Sequence, residues 1–586
     1  MKYSNLLAKW LRKLNYTHCF YVPGGNIMHL LDSFRDNFKC IPVVHEVAAG
    51  IAAEYFNETS KENFKALALV TAGPGLTNIV TAIGGAFLES RDVLIIGGQV
   101  KTDNLSNGKV VQRGIQEIDG VSVVKPITSK ALRINKPIGF HKIKSILGIN
   151  KIERKGPVFL EIPLDVQGTN FVDKKNKQIE VKNERKQTTQ IQIKKIVGII
   201  RKSKRPSILI GAGVSRQVAY NLRKQLAKLD IPIFTTWNGM DRISPKNKNY
   251  FGIPNTWGQR HANIIIQQSD LLLALGTRLG LQQTGFNWKE FLPVGDIIQI
   301  DIDSRELKKG HPKVKWPYCF DVNHFLPLLL KHNLGVYPEW LKFSAKVKNA
   351  FPLIDKGNKT KDKFLSPYLV INEVSRILKK NDVVVPCSSG GVFTAFKQAF
   401  VPKFGQRIVS NKGLASMGYG LSAAIGAAFS NNKKRIIHFE GDGGFSQNIQ
   451  EIGTMIVNNL NIKSFIFDDS GYASIRMTQK NYFHGEYMGC DIKSGLGLPN
   501  WEKLFAAWNI KAIRLKKDFI NNKIFIKHMN QVGPSVFIVP TDPEQTYFPK
   551  IQSRVTKSGS MESNPIHIMT PELTSKEMEA FFKYLK

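Results

Sequence analysis

The chain has 586 residues, carries 83 Lys+Arg against 46 Asp+Glu for a formal charge of +37, and is 42% hydrophobic. At roughly 150 residues per domain this length asks for three or four domains, and the apolar content gives each a core, which excludes a disordered chain or a small disulfide scaffold. The basic residues are scattered through Lys- and Asn-rich loops such as Lys174–Lys177 and Lys202–Arg205, so a compositional bias is favoured over a nucleic-acid partner, which would need a basic strip.

In chain order, Met1 to Tyr16 has Lys9, Arg12 and Lys13 among its apolar positions and reads as an amphipathic helix, not a secretory signal. The long uncharged stretch Ala66–Leu88 contains Gly73-Pro74-Gly75, which breaks it into strand, turn and helix and removes it as a membrane span. Apolar runs at Ala66–Val70, Val93–Ile96, Ser207–Ile210, Leu271–Leu275, Ile297–Ile300, Val383–Val385, Arg435–Phe439 and Lys463–Phe467 alternate with longer helix-like segments, the pattern of parallel α/β sheets. The polar segment Val172–Gln192 reads as a linker, and a second break falls near Asp355–Lys363. The predicted organisation is three doubly wound parallel-sheet α/β domains, 1–171, 193–354 and 364–586, the last with a C-terminal tail. Five cysteines without a Cys-x-x-Cys pair argue against a disulfide framework or a zinc site. The expected protein is cytoplasmic and makes no use of a membrane.

The stretch Ile436–Ile475 concentrates the chemistry. A strand ends near Phe439, the turn Gly441-Asp442-Gly443-Gly444 follows, a helix covers Gln450–Val457, and a second strand ends at Asp468-Asp469. Parallel strands deliver both turns to the carboxyl edge of a sheet, where ligands bind. Glycines there admit a phosphate close to the backbone and a helix N-terminus faces it. Two carboxylates plus diphosphate oxygens suit Mg2+, which takes few protein ligands. Taken alone, Gly-Asp-Gly is also an ordinary strand-to-helix turn; the second oxygen-rich turn is what points to a metal and a diphosphate.

This arrangement resembles the thiamine-diphosphate signature of the acetohydroxyacid (acetolactate) synthase family, Gly-Asp-Gly followed by Asn-Asn, with Asp468-Asp469 in place of the Asn pair. Further segments match in register from residue 20 to Pro571: Phe20–Gly25, Val43–Ala49, Val70–Asn78, Ile96–Val100, Gln116–Asp119, Gly156–Pro163 and Gly413–Gly420. The resemblance implies pyrimidine-binding, central and diphosphate-binding domains, with thiamine diphosphate and Mg2+ as cofactors. By the same resemblance, Asp442, Asp469 and the Gly471 carbonyl hold the metal, and Gly441, Gly443 and Gly444 lie against the diphosphate. Glu46 hydrogen-bonds the aminopyrimidine as the activating carboxyl, a role helped by its apolar neighbours Val43, Val44, Val47, Ala48 and Ala49. Pro74 and Asn78 belong to a cofactor-facing turn, Ala415 offers its carbonyl to the cofactor's amino group, Met417 supports the bent cofactor, and Gly25 and Gln116 face substrate. The departure at Asp469 adds negative charge; Asp469→Asn, which recreates the usual ligand, is expected to be tolerated.

In the central unit, Ser207–Gly213 runs into a two-glycine turn, with Arg216 where a third glycine would complete a dinucleotide fingerprint. Related synthases bind flavin adenine dinucleotide (FAD) there, and the matching positions are Gly211, Gly213, Thr236, Gly276, Arg278 and Asp301. Gly276–Gln283 lacks the acidic pair that usually follows the arginine, so bound FAD and a purely structural domain both stay open. Because family sites draw Glu46 and Asp442 from different subunits, the resemblance implies a homodimer or homotetramer with interfacial sites.

The function implied is decarboxylation of a 2-oxo acid, pyruvate, and transfer of the two-carbon unit to a carbonyl acceptor. Alternatives are acetyl transfer to a keto-sugar nucleotide in surface-polysaccharide synthesis, simple 2-oxo-acid decarboxylation, and, outside catalysis, a silent paralogue or basic binding protein. Ile115 stands where the synthases usually have Phe, and Thr478 where they carry a specificity-setting Trp. Both changes point to a bulkier acceptor able to meet a hydroxyl.

Overall fold

All eight apolar runs singled out above are strands in the computed structural model, which describes every residue except 61–62, 149–152, 174–188, 432–433, 556–557 and 586. Most of the predicted linker Val172–Gln192 lies outside the described residues. The first sheet comprises β1 (Tyr16–Tyr21), β2 (Lys39–Pro42), β3 (Lys65–Val70), β4 (Leu94–Gln99), β5 (Lys130–Arg133) and β6 (Val158–Pro163), in the order β2-β1-β3-β4-β6-β5. The middle sheet comprises β7 (Pro206–Ile210), β8 (Ile233–Thr235), β9 (Leu271–Leu275), β10 (Asp296–Asp301) and β11 (Val314–Cys319), ordered β11-β10-β9-β7-β8. The third comprises β12 (Val383–Pro386), β13 (Arg407–Ile408), β14 (Ile436–Gly441), β15 (Ile462–Asp468), β16 (Ile513–Arg514) and β17 (Ser535–Pro540), ordered β13-β12-β14-β15-β17-β16. Pairing is parallel in all three, as at β1–β3, β7–β9 and β14–β15. Central strands such as Leu271–Leu275 are buried along their whole length, as parallel strands covered on both faces must be.

Strand order reverses between β1 and β3, between β7 and β9, and between β12 and β14. Crevices at such reversals, outside the carboxyl ends of the strands, are where open α/β sheets bind ligands. The turns that follow these strands are Pro23–Gly25 and Thr71–Gly75, Gly211–Gly213 and Gly276–Arg278, and Cys387–Gly391 and Gly441–Gly444.

The described residues form two compact units. One, 1–183 with 381–393 and 409–543, holds the first and third sheets; the other, 184–380 with 394–408 and 544–586, holds the middle sheet. The first and third sheets share a unit because the helices Glu46–Thr59 and Tyr419–Ser430 pack closely through Ala and Gly. A Cβ on Gly426 would collide with the Ala52 carbonyl, so glycine is required there. Phe20, Ala52, Leu421 and Ile425 lie in the core these helices share. The tail, expected with the third domain, instead packs in the middle unit. Buried amides of the Arg260–Gln267 helix and its C-cap need acceptors, and the tail supplies them: Asn263 Nδ2 donates to Ile566 O (2.8 Å) and Gln268 Nε2 to Phe581 O (2.8 Å). All five cysteines are free thiols, and among the described residues no helix is long and apolar enough to cross a membrane.

Candidate active site

At the first reversal, β3 ends in Thr71-Ala72-Gly73, and the helix Pro74–Leu88 begins with Pro at its first turn, where a missing N–H costs nothing. Gly73 caps this helix at φ +63°, and a Cβ there would collide with the Gln116 carbonyl. That contact brings the 105–118 loop onto the turn. Gln116 itself has φ +61°, an uncommon conformation for a residue with a side chain. Its neighbour Glu117 holds the loop by accepting N–H bonds from Ser106 (2.5 Å), Arg113 (3.0 Å) and Gly114 (3.0 Å); these bonds draw its carboxyl down to about 2 despite the opposing cost of burial. Gln116 and Ile115 are exposed.

Glu46 opens the helix Glu46–Thr59 and is buried, 8% exposed. Asn78 Nδ2 donates to its Oε2 (3.0 Å), and among the described residues no donor is recorded on Oε1. The structure therefore brings Glu46 and Asn78 into contact, and Pro74, Gly73 and Gln116 around one turn. Val44, expected to wall this carboxyl, is 59% exposed; Val43, Ala48 and Ala49 are buried. At Gly25 a Cβ would meet nothing within 4 Å, whereas at Gly24 it would lie 2.5 Å from Thr71 Cβ. Glycine is therefore required at Gly24, and Gly25, expected to face substrate, borders open space.

At the third-sheet reversal Asp442 is fully buried; its Oδ1 accepts from Gly443 N (2.7 Å) and its Oδ2 from Gly471 N (3.2 Å). A Cβ on Gly443 would lie 3.1 Å from the Gly471 carbonyl oxygen. Asp442, Gly443 and Gly471 therefore meet, as the sequence predicts. Burial, with the charges of Asp469 and Asp468 adding to it, pushes the Asp442 carboxyl well above its ordinary range. Burial also raises Asp469, to about 7, against the pull of Arg476. Closely set buried carboxylates that resist ionisation are a donor set that a divalent cation stabilises. No group of three or more His, Cys, Asp or Glu side chains suited to a metal occurs among the described residues, so a cation here would complete its shell with the Gly471 carbonyl and ligand oxygens. Ala415 takes φ +57°, Met417 is 37% exposed, and Gln447 Nε2 reaches Met417 Sδ (3.7 Å). Gly441 and Gly444 are part-exposed on the same turn.

Two contributors escaped the sequence reading. Glu451 accepts the N–H groups of Val44 and His45, both at 3.1 Å, so a residue of the third-sheet region orients the loop leading into Glu46. Arg476 pairs with Asp469, both buried. An arginine in the first turn of an exposed-looking helix was the available signal for the second. Thr478 is exposed, and its hydroxyl donates to Ser474 O (2.9 Å) in its own helix, so the hydrogen bond expected toward an acceptor is directed at the backbone.

At the middle reversal the named positions assemble, but on each other. Gly211 N donates to Leu275 O (2.8 Å), Gly213 N to Gly276 O (3.0 Å), Val214 N to Gly211 O (3.2 Å) and Ser215 N to Asn323 Oδ1 (2.8 Å). Arg242 donates to the carbonyls of Val214 (2.7 Å) and Ala212 (3.4 Å) and pairs with Asp241, which also accepts from Arg216 (2.7 Å). Thr236 N donates to Ile210 O (3.0 Å), Lys309 donates to the Arg278 carbonyl, and Asp301 Oδ1 accepts from Asp303 N (2.9 Å). The Gly211–Ser215 turn thus spends these four N–H donors internally, and this donor set does not fit a flavin diphosphate cradled at that turn.

The chain matches three thiamine pyrophosphate enzyme family models: the N-terminal TPP binding domain over residues 1–123, the central domain over 193–329 and the C-terminal TPP binding domain over 389–539. It is 29% identical over 534 residues to the acetolactate synthase large subunit of Cyanidium caldarium, covering 87% of this chain and 88% of that one. It is 29% identical over 550 residues to a probable acetolactate synthase large subunit of Methanococcus aeolicus, covering 89% of each. Identity to the acetolactate synthase isozyme 1 large subunit of Escherichia coli (strain K12) is 27% over 540 residues, covering 90% of this chain and 92% of that one.

Proposed function

Since the chain belongs to the thiamine pyrophosphate enzymes, we propose that it decarboxylates pyruvate and transfers the two-carbon unit to a carbonyl acceptor, in the manner of an acetolactate synthase. The observation that carries this reading is Glu46: a buried carboxyl with Oε2 held by Asn78 and Oε1 without a recorded protein donor. Bound here, thiamine diphosphate supplies an ionisable thiazolium C2–H and an electron sink for loss of carbon dioxide.

The chain's own residues do the rest. Glu46 Oε1 would share a proton with the aminopyrimidine ring nitrogen, the carboxyl O–H donating and the ring nitrogen accepting. Ala415 offers its carbonyl, Met417 gives apolar support, and Gly441–Gly444 accept the diphosphate. Asp442, Asp469 and the Gly471 carbonyl hold Mg2+. Gln116 donates to oxygen where negative charge develops on the substrate, and Gly25 leaves room beside it. No step is assigned to a flavin. The working form is a cytoplasmic homodimer or homotetramer whose sites lie between subunits. The exposed apolar side chains Val111, Ile115, Phe483 and Met488 are consistent with such contacts.

A second reading is acetyl transfer to a keto-sugar nucleotide, favoured by Ile115 and Thr478 replacing two aromatic walls. Mass spectrometry of the products from pyruvate, thiamine diphosphate and Mg2+ with a panel of acceptors decides among these. A product one acetyl unit heavier than an added acceptor supports transfer. Acetolactate from pyruvate alone, with no gain on keto-sugars, removes the second reading, and acetaldehyde alone makes the protein a simple decarboxylase.

A further inference from the structure

The third-sheet edge carries three carboxylates, Asp442, Asp468 and Asp469, where the family signature has one plus two neutral amides. The structure compensates the additional two separately. Asp468 Oδ2 accepts from Arg514 Nη2 (3.0 Å) at the partly exposed end of β15. Asp469 Oδ1 is paired with Arg476 Nη2, with the two side chains 5% and 4% exposed. Asp442 has no cationic partner among the hydrogen bonds and ion pairs of the described residues; it accepts only from Gly443 and Gly471 N–H. The edge thus presents to a cation the balance of a single carboxylate, as an Asp/Asn pair would.

Arg476 also ties the turn's backbone together. Its Nη2 donates to the Asp469 carbonyl (2.8 Å), and its Nη1 reaches the carbonyls of Ser470 and Cys490, both at 3.4 Å. A Cβ on Gly471, at φ +151°, would lie 2.6 Å from Arg476 Nη1 and collide with the Cys490 carbonyl. Only glycine leaves room for this guanidinium. Arg476 Nε is buried without a hydrogen-bond partner. A group that leaves a buried donor unpaired lowers stability, so local stability alone does not account for the arrangement.

We propose that Arg476 is a positioning residue for the cation site: it takes up the charge of Asp469, binds Oδ1 so that Oδ2 is the ligand oxygen, and sets the path of the Asp469–Gly471 turn so that Gly471 stays against Asp442 and Gly443. The proposal rests on the metal–diphosphate reading above. It also reverses the expectation that Asp469→Asn is tolerated, because that change leaves a buried guanidinium unpaired beside the cation.

The test is calorimetric titration of thiamine diphosphate against MgCl2 concentration for the intact wild-type chain, Asp469→Asn, Arg476→Met and the double variant Asp469→Asn/Arg476→Met. Asp469→Asn should weaken apparent Mg2+ affinity at least about tenfold through the uncompensated positive charge. Adding Arg476→Met to it should restore affinity to within about threefold of wild type, since replacing a buried ion pair by neutral groups is generally tolerated. This pair of measurements carries the test even if Arg476→Met alone fails to fold. Additive effects of the two changes on Mg2+ affinity, or Asp469→Asn binding Mg2+ as wild type does, would overturn the proposal and leave Arg476 a structural ion pair. Wild-type binding of thiamine diphosphate that is indifferent to divalent cations would instead overturn the metal reading itself, and this proposal with it.

Discussion

The edges of the middle and third sheets have the same plan, a buried parallel strand running into a glycine turn beside a reversal in strand order, and they have opposite electrostatics. At Gly211–Ser215 four backbone N–H groups are bonded internally, Arg242 covers two carbonyls, and the buried Asp241 has two arginines against it. At Gly441–Gly444 the buried Asp442 accepts, among the described residues, from backbone N–H groups alone. The middle edge has these donors and charges paired within the protein. The third edge keeps buried carboxyl charge that the proposed cation would balance, and the difference teaches that a glycine turn after a strand marks where a ligand can bind, while the charge left over indicates what kind of ligand would suit it.

The largest expected effect on that contrast is that of Asp442→Ala, which removes the proposed cation ligand from the third edge. We expect loss of Mg2+-dependent thiamine diphosphate binding in calorimetry; undiminished binding would mean that the two edges are alike. Next in size is Glu46→Gln. It preserves shape and the Asn78 contact but removes the carboxyl, so carbon dioxide release from pyruvate should fall at least about a hundredfold while Mg2+-dependent cofactor binding persists. A variant with near wild-type turnover would show that Glu46 is only a buried helix-start carboxylate.

The middle edge has its own test. Arg242 and Asp241 are 5% and 1% exposed, and removing one partner of a buried pair strands the other. Arg242→Ala should cost about 3 kcal/mol in urea unfolding of the middle sheet, moderated by the remaining Arg216, and should leave Mg2+-dependent cofactor binding intact. Loss of cofactor binding at unchanged stability would show that this edge serves a ligand after all.

Strands such as Leu271–Leu275 and Ile436–Gly441 were legible because burial on both faces demands unbroken apolar runs. Lys130–Arg133, half-buried throughout, and Val314–Cys319, which carries Pro317 and alternates in exposure, gave no such run, since edge strands bury one face at most. The site split along the same line. Asp442, Asp469 and Glu46 stand in local motifs and could be read; Glu451 contacts Val44 and His45 from some four hundred residues away, and no local pattern encodes such a contact. Asp469 shows itself as a departure, but its compensation depends on the helix Ala473–Tyr482 turning Arg476 back onto the turn at Asp469. Chain order places the tail after the third sheet, whereas its hydrogen-bond partners are buried amides in the middle unit.

The smallest expected effect extends the comparison from edges to units, and it follows from histidines. Burial holds His261 down at about 3, with Lys348 adding to the effect and a hydrogen bond to the Phe351 backbone opposing it, and holds His311 and His567 at about 4. All three belong to the middle unit. A histidine whose folded value is depressed stays neutral in the fold while the unfolded chain takes up the proton, so its contribution is intact above the ordinary histidine value and is lost as pH falls from about 6.5 toward 3 or 4. At pH 5 His261 alone should cost about 2 kcal/mol. Buried carboxylates in the other unit act with the opposite sign. Burial raises Glu54 to about 7 against the pull of Arg91, so its protonation supports the fold at low pH and that support fades as pH rises from the ordinary carboxylate range to 7. His18, held at about 4 chiefly by burial, offsets part of this at β1. Hydrogen exchange at pH 5 against pH 7 should therefore show β7, β9 and β10 opening more than β14 and β15. His261→Phe, which cannot take up a proton, should narrow the gap; equal opening of both sheets, or a gap untouched by that substitution, would mean that these histidines do not set the acid response.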